Sequence, residues 1–179
     1  CMSTLTVKEL SHPAGEVIKI AAGKTLDLKS QGSVTMPTGS VLQVVQESGA
    51  SRTTVSSSAT WTSTTLTQAV TPTSTSSKIL IGLSQHIRVF GSHTNVRGGL
   101  RLLRDSTVIW NTVGTGETVQ VRGSPSEIDQ VVNIQFLDSP STTSAVTYTL
   151  QIRGHSSSDS IIAFESSYGA NLILQEIQG

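Results

Sequence analysis

Pairs of apolar residues recur every eight positions near the N-terminus. Residues 16–39 divide into the blocks EVIKIAAG, KTLDLKSQ and GSVTMPTG, and each block has apolar third and fifth positions. The pairs are Ile18 and Ile20, Leu26 and Leu28, and Val34 and Met36. Residues two apart on a strand point to the same face, and turn-forming residues separate the pairs. The pattern predicts a stack of short strands, each with two apolar side chains on one face.

One such block cannot fold alone. Two fully buried aliphatic side chains contribute about 3–6 kcal/mol, whereas ordering eight backbone units costs about 8–16 kcal/mol. The difference is recovered only if blocks stack and several copies of the chain close around a common axis. We therefore predict an oligomeric fibre shaft over residues 1–39, in the form of a three-fold β-prism or β-helix-like stack. The alternative is an N-terminal meander packed on its own domain.

Beyond residue 40, short segments of alternating apolar and polar residues predict strands. The threonine-rich segment 51–77 would also permit a linker, but Trp61 and Leu66 favour a surface strand ending at Pro72. The near-continuous apolar run at 78–83 predicts a central strand buried on both faces. Further strands are predicted at 41–45, 86–90, 119–121, 131–137, 145–152, 161–164 and 171–177, with two more within 100–110.

No long stretch has the 3.6-residue period of a helix. Many short strands separated by turn residues are typical of two-sheet all-β folds. The fold class predicted is therefore all-β, with the shaft followed by an antiparallel jelly-roll-like β-sandwich head over residues 40–179.

Composition and charge exclude several classes of partner. Twelve lysines and arginines balance twelve acidic residues, so no broad basic face is available and nucleic acid is not an expected partner. No apolar run approaches the length of a membrane span, so membrane insertion is not expected. The single cysteine, Cys1, excludes an internal disulfide framework and a cysteine-rich zinc site.

Five segments in this order resemble bacteriophage tail-fibre and virion proteins, many of them from phages of marine bacteria and cyanobacteria. They are GSVLQVVQ, TWTSTTLTQAVTPTSTSSKILIGLS, LRLLRDSTVI, QFLDSPSTTSAVTYTLQIRG and the terminal NLILQEIQG. The resemblance covers residues 39–179, and the repeat before it resembles the shaft that often precedes such modules. It implies a homotrimeric fibre end with jelly-roll-like heads, attached to other phage tail proteins in the virion and contacting the host surface. It implies no catalytic residues and no cofactor.

Catalytic motifs are absent from the sequence. It contains no G-x-S-x-G nucleophile elbow, no phosphate-binding loop and no dinucleotide fingerprint. A polysaccharide depolymerase would need two carboxylates roughly 5–9 Å apart across the sugar bond. The candidates are Glu117, Glu127, Asp129 and Asp138, although Asp138 precedes Ser-Pro and is expected to cap a turn. We predict that the chain is not an enzyme.

Aromatic and arginine side chains are the candidates for glycan binding. An aromatic ring can stack on the apolar face of a sugar, and guanidinium groups suit acidic or phosphorylated sugars. The residues predicted to bind glycan are Trp110, Tyr168, Arg97 and Arg122. Trp110 could instead complete the core, and Trp61 could either stack on a sugar or cover the sheet. The other arginines considered are Arg88, Arg101, Arg104 and Arg153, and the alternative for all six is pairing with Asp105, Glu127 or Asp129.

His12 occupies an apolar slot of the repeat, so three copies meeting on an axis would bring three imidazoles together. It is a weak candidate for an axial metal ligand, against the alternative of a solvated or carbonyl-bonded histidine. No other metal site is predicted.

The predicted function is host-cell recognition and adsorption by a homotrimeric phage tail-fibre end, acting on the virion. Its partner would be a host cell-surface glycan or protein, most simply an envelope glycan. The alternatives are a purely structural virion protein without receptor contact and, less favoured, a polysaccharide depolymerase.

Overall fold

The computed structural model describes residues 22–23, 36–111, 119–123, 127–164 and 169–179 of the 179-residue chain. The chain divides into two compact units, Cys1–Thr35 and Met36–Gly179. Almost all of the predicted shaft, including His12, lies outside the described residues, so the shaft and its metal candidate stay predictions. None of the described residues belongs to a helix long and apolar enough to cross a membrane.

The second unit contains eleven β-strands, and its described residues form no helix. The strands are β1 (Val41–Glu47), β2 (Thr53–Val55), β3 (Thr62–Val70), β4 (Lys78–Gly91), β5 (Asn95–Arg104), β6 (Thr107–Asn111), β7 (Val119–Arg122), β8 (Glu127–Asp138), β9 (Val146–Gly154), β10 (Asp159–Ala163) and β11 (Asn171–Ile177).

The strands form two antiparallel sheets. In sheet A, β4 pairs with β8 along one edge. Along its other edge, the first half of β4 pairs with β11 and the second half pairs with β10. Strand β1 then pairs with β11, and β2 pairs with β10. In sheet B the order is β3-β9-β5, with β6 and β7 pairing with the two halves of β5. Strands far apart in sequence are neighbours in both sheets, β1 beside β11 and β3 beside β9, as in a rolled-up hairpin. The predicted all-β sandwich is confirmed, and its strand order is that of a jelly roll.

The core lies between the two sheets and is built from alternate residues of each strand. Val146, Tyr148, Leu150 and Ile152 of β9 are all buried, as their predicted common face requires. The sheets approach closely at Gly98 of β5, where an added Cβ would lie 2.7 Å from a methyl of Val89 and 2.9 Å from one of Ile161. The glycine therefore sets how closely sheet B packs on sheet A here.

Strand β4 differs from its prediction in length and in burial. The segments at 78–83 and 86–90 are one continuous strand of 14 residues. Its odd-numbered residues from Ile79 to Val89 are buried, whereas the even-numbered ones on the outer face are exposed or half-buried. The prediction of a strand buried on both faces was wrong, because sheet B covers only one side of sheet A in the described residues.

Threonine side chains shape β3. The pairing with β9 shifts between Ser63 and Thr67, so the backbone ladder is interrupted there. The hydroxyl of Thr64 donates to the carbonyl of Leu150 at 3.0 Å, and that of Thr67 donates to the carbonyl of Tyr148 at 3.1 Å. These bonds satisfy β9 carbonyls across the irregular stretch. The threonine-rich segment is thus an ordered strand, as predicted from Trp61 and Leu66.

Candidate functional site

Four arginines share the outer face of sheet B. Arg97 and Arg101 alternate on β5, Arg122 lies on β7 opposite Asn95, and Arg153 lies on β9 opposite Gly99. Directly opposed residues point to the same side of a sheet, and residues two apart on a strand do the same. We call Arg97, Arg101, Arg122 and Arg153 the arginine face.

Two of these arginines stack on Trp61, the residue that precedes β3. The guanidinium carbon of Arg101 lies 4.5 Å from the centroid of the Trp61 ring, and that of Arg153 lies 4.7 Å from it. The Nε of Arg101 donates to the side-chain oxygen of Gln151 at 2.7 Å, and the Gln151 amide donates to Ser63 at 2.9 Å. We call Trp61, Arg101, Arg153 and Gln151 the arginine–tryptophan cluster.

The cluster holds two positive charges without a neighbouring carboxylate. Within the described part of the chain, neither Arg101 nor Arg153 forms an ion pair with an acidic side chain. Burial, and secondly the charge of Arg153, lower the pKa of the Arg101 guanidinium below its usual value. The Nε of Arg153 is buried and has no hydrogen-bond partner in the part of the chain that the structure describes. The cluster therefore has unused donors and an unbalanced charge, which an anion would satisfy.

The predicted glycan-binding residues fall in different places. Arg97 and Arg122 are diagonal neighbours on the arginine face, so the structure brings these two together. Trp110, on β6, is half-buried and packs against the hydrophobic core, which favours the alternative that it completes the core. Tyr168 lies outside the described residues.

Two other arginines form ion pairs, Arg88 with an acid that the alternative interpretation named and Arg104 with one that it did not. Arg88 binds the carboxylate of Asp129 through its Nε, 3.0 Å from each oxygen, and its Nη2, 2.8 Å from Oδ2. Arg104 donates to both oxygens of Asp138 at 2.9 and 2.8 Å. Asp105 accepts a hydrogen bond from the backbone N–H of Thr147 instead of pairing with an arginine.

The three described carboxylates considered for catalysis are already engaged by other side chains. Glu127 and Asp129 share an exposed face of β8, and Arg88 contacts both, with its Nε 3.6 Å from Glu127. Asp138 is buried and accepts a hydrogen bond from the Tyr148 hydroxyl at 2.7 Å, so its predicted role as a turn cap is replaced by a core contact. Glu117 lies outside the described residues.

The described histidines pack or pair individually. His86 stacks on Phe164 with ring centroids 4.8 Å apart, and its Nε2 lies 3.9 Å from Asp129. His93 Nε2 lies 2.8 Å from the buried carboxylate of Asp159. Among the described residues, no group of three or more histidine, cysteine or acidic side chains could hold a metal ion.

The outer face of sheet A carries exposed apolar side chains as well as the ion pair of Arg88 with Asp129. Six large apolar side chains are exposed in the described residues, and four of them lie on β1 and β8 of this sheet. With two half-buried neighbours they form the apolar face, consisting of Val41, Val44, Leu80, Val131, Leu137 and Ile177. Val44 is 57% exposed and Leu137 is 50% exposed. Leu137 lies opposite Leu80, and Val41 lies opposite Ile177. Gln175 lies between Leu80 and Val44, and Asn133 and Gln135 lie between Leu137 and Val131, so polar residues interrupt the apolar face.

A shallow depression of about 180 Å³ lies on the same side of sheet A, around Gly82. A Cβ added to Gly82 would meet nothing within 4 Å, so the missing side chain leaves the space open. Asn133, Gln135 and Asn171 line the depression. The buried Oδ1 of Asn171 has no hydrogen-bond partner among the described residues.

From the sequence, Trp61, Arg101 and Arg153 of the cluster are candidates, but none of them is in the predicted glycan-binding set, and Gln151 is not named. Trp61 was interpreted mainly as cover for the sheet, and Arg101 and Arg153 were grouped with the arginines expected to pair with acids. Residues two apart on a strand share a face, so the sequence indicates that Trp61 lies on the same side as Ser63 and that Gln151 lies on the same side as Arg153. The pairing of β3, β9 and β5 that joins them depends on contacts distant in sequence, which this spacing does not reveal.

Solved structures similar to this chain include viral particle proteins at low identity. The VP2 subviral particle of infectious bursal disease virus gives a TM-score of 0.41 and 11% identity, covering 87% of this chain and 42% of that one. A point mutant of that VP2 protein, in derived T=1 particles, gives 0.40 and 10%, covering 87% and 40%. The chain thus spans about two-fifths of the length of these proteins. No protein-family model and no curated protein sequence matches it.

Proposed function

We propose that this chain is a virion protein, the homotrimeric distal head of a phage tail fibre, which attaches the particle to its host by binding an envelope glycan. The observation that carries the proposal is the contrast between the two outer faces of the sandwich. Sheet A presents the apolar face, and sheet B presents the arginine face with Trp61. One face suits association with further copies, and the other suits a polar ligand.

Chain connectivity supports the assignment of the apolar face to self-association. The last repeat ends at Gly39, and β1 begins at Val41, so copies that share a shaft bring their β1 strands together. Val41 and Val44 of β1 belong to the apolar face. Burial of exposed apolar side chains against a partner is favourable, because it removes apolar surface from water. The unpartnered Asn171 oxygen beside Gly82 would accept a donor from the neighbouring copy.

Trimerisation also makes a weak ligand site effective. Three heads on one fibre present three arginine faces, and the second binding event then occurs at a high effective concentration. Modest affinity at each site is thus compatible with firm adsorption of a particle. The chain needs no catalysis for this role, and Glu127 and Asp129 are bound to Arg88 and not free to act on a sugar bond.

Adsorption of the purified full-length protein to cells tests the proposal. Fluorescently labelled protein is mixed with a susceptible bacterial strain and with a mutant of that strain lacking surface polysaccharide. We expect saturable binding to the susceptible cells, loss of binding to the mutant, and competition with phage adsorption. Absence of binding to every susceptible strain would instead favour a purely structural virion protein.

A further inference from the structure

The arginine–tryptophan cluster gathers two guanidinium groups around one aromatic ring. The Trp61 ring holds both guanidinium groups within stacking distance, at 4.5 and 4.7 Å from its centroid. Arg153 lies opposite Gly99, so no side chain on β5 fills the space directly across from it. Arg101 is two residues further along β5 and is therefore the diagonal neighbour of Arg153.

The orientation of Arg101 is fixed from behind by a hydrogen-bond chain. Its Nε donates to Gln151, whose amide donates to Ser63 of β3. These hydrogen bonds use the Nε edge of the Arg101 guanidinium and leave its terminal amino groups without a partner in the described residues. The Nε of Arg153 is likewise unpartnered. Guanidinium groups donate in a planar fork that matches the oxygens of a carboxylate, sulfate or phosphate.

Two like charges on one ring repel each other, and a cation–π contact with Trp61 offsets this only in part. No carboxylate among the described residues pairs with them, in contrast to Arg88 with Asp129 and Arg104 with Asp138. The other arginines of the face, Arg97 and Arg122, add positive potential along the same side of sheet B. An incoming anion would relieve the repulsion and satisfy the unused donors at once.

We propose that the arginine–tryptophan cluster binds the acidic group, a carboxylate or a sulfate, of a sugar unit in an acidic polysaccharide. This inference rests on the proposed function, because it names the class of glycan that the head would recognise. The low overall charge of the chain confines the attraction to this face, so recognition depends on the two arginines and not on bulk electrostatics.

Calorimetric titration of the full-length protein with three sugars of equal length tests the inference. The probes are trigalacturonate, which carries carboxylates, a sulfated trisaccharide, and neutral maltotriose. We expect at least one acidic probe to bind and maltotriose not to bind. The acidic probe that binds identifies the recognised group as a carboxylate or a sulfate. Arg101→Gln and Arg153→Gln should each weaken that binding about tenfold or more, because each removes a charge-assisted contact.

Arg52→Gln is the matched control. Like Arg101 and Arg153, Arg52 lies over an aromatic ring, 5.4 Å from the centroid of Phe164, but it is exposed where they are half-buried, and it is not on the arginine face. The control should keep its affinity. Equal losses in all three variants would overturn the inference by showing non-specific attraction, and so would equal binding of the neutral sugar.

The same preparations separate this inference from the proposed function. A trimer that adsorbs to cells but binds neither acidic probe would overturn the ligand class and leave the attachment role standing. A protein that neither trimerises nor adsorbs to cells would overturn the proposed function itself, whatever the trisaccharides do.

Discussion

At the scale of single residues, the buried carboxylate of Asp138 is satisfied by partners from other strands. Asp138 at the end of β8 receives the Tyr148 hydroxyl from β9 and the Arg104 guanidinium from β5. Burial, and then the hydrogen bond to Asp138, raise the pKa of Tyr148 well above its usual value, so the hydroxyl remains a donor. The sequence predicted only a local role for Asp138, because both partners arrive through long-range pairing.

Tyr148→Phe tests the value of this contact. The change removes the hydroxyl and leaves the buried carboxylate with one partner fewer, so the free energy of unfolding should fall by about 1–3 kcal/mol. Urea unfolding followed by circular dichroism measures it. Stability equal to that of the parent protein would contradict a structural role for this hydrogen bond.

Glu176 makes the stability of the head sensitive to acid. It is fully buried on β11, and burial alone would raise its pKa, but hydrogen bonds from Gln43 at 2.6 Å and from Thr73 outweigh burial and lower the pKa. A depressed pKa in the folded state stabilises the protein above the ordinary value of 4.5. That contribution is lost as the pH falls through the lower, folded-state pKa.

Glu176→Gln should therefore destabilise the head at pH 7 and have a progressively smaller effect as the pH falls below the ordinary glutamate value. The amide nitrogen of the variant would face the donor of Gln43, and no ionised acceptor would remain. Urea midpoints of both proteins, measured from neutral to acidic pH, give the comparison. A difference that does not vary with pH would contradict the assignment.

At the scale of elements, the alternation of apolar and polar residues predicts the buried face of a strand more accurately than it predicts the ends of the strand. The buried face of β9 is as predicted, whereas β4 was divided in two because Ser84 and Gln85 interrupt the apolar run. Gln85 is nevertheless buried, since its amide donates to the backbone carbonyls of His86 and Phe164 at 2.9 Å. A polar residue in the core is acceptable once its hydrogen bonds are made, and the sequence does not reveal those partners.

The close approach of the sheets at Gly98 yields a prediction with a built-in control. Gly98→Ala would place a Cβ too near Val89 and Ile161, and the resulting overpacking should lower the free energy of unfolding by about 1–3 kcal/mol. Gly82→Ala, also in a central strand, would meet open space and should leave stability within about 0.5 kcal/mol. Denaturant unfolding of both variants compares them, and equal effects would contradict the packing argument.

At the scale of the whole molecule, the sequence predicted the sandwich and the energetic need for self-assembly, but not the surfaces used. The apolar face combines residues from β1, β4, β8 and β11, and the arginine–tryptophan cluster combines β5 and β9 with the residue before β3. Both surfaces arise from strand order, which depends on pairings across more than 100 residues in the case of β1 with β11. Candidate residue types can be found in the sequence, whereas their grouping requires the fold.

A charge on the apolar face should disrupt the assembly. Val44→Lys places an ammonium group on a side chain that trimerisation would bury, so it should shift the protein from trimer towards monomer. Val108→Lys, on β6 of sheet B, is the matched control, because Val108 is also an exposed strand valine, at 42% against 57% for Val44. Native mass spectrometry of both variants reads out the change. Equal behaviour of the two would exclude the apolar face as the interface.

The solution mass of the intact protein, by light scattering after size exclusion, tests the central claim most directly. Three times the chain mass of 18.9 kDa is 56.7 kDa, which is the mass that a homotrimeric fibre head predicts. A mass of 18.9 kDa would contradict the account, because the eight-residue blocks would then fold without partners and the apolar face would remain exposed to water.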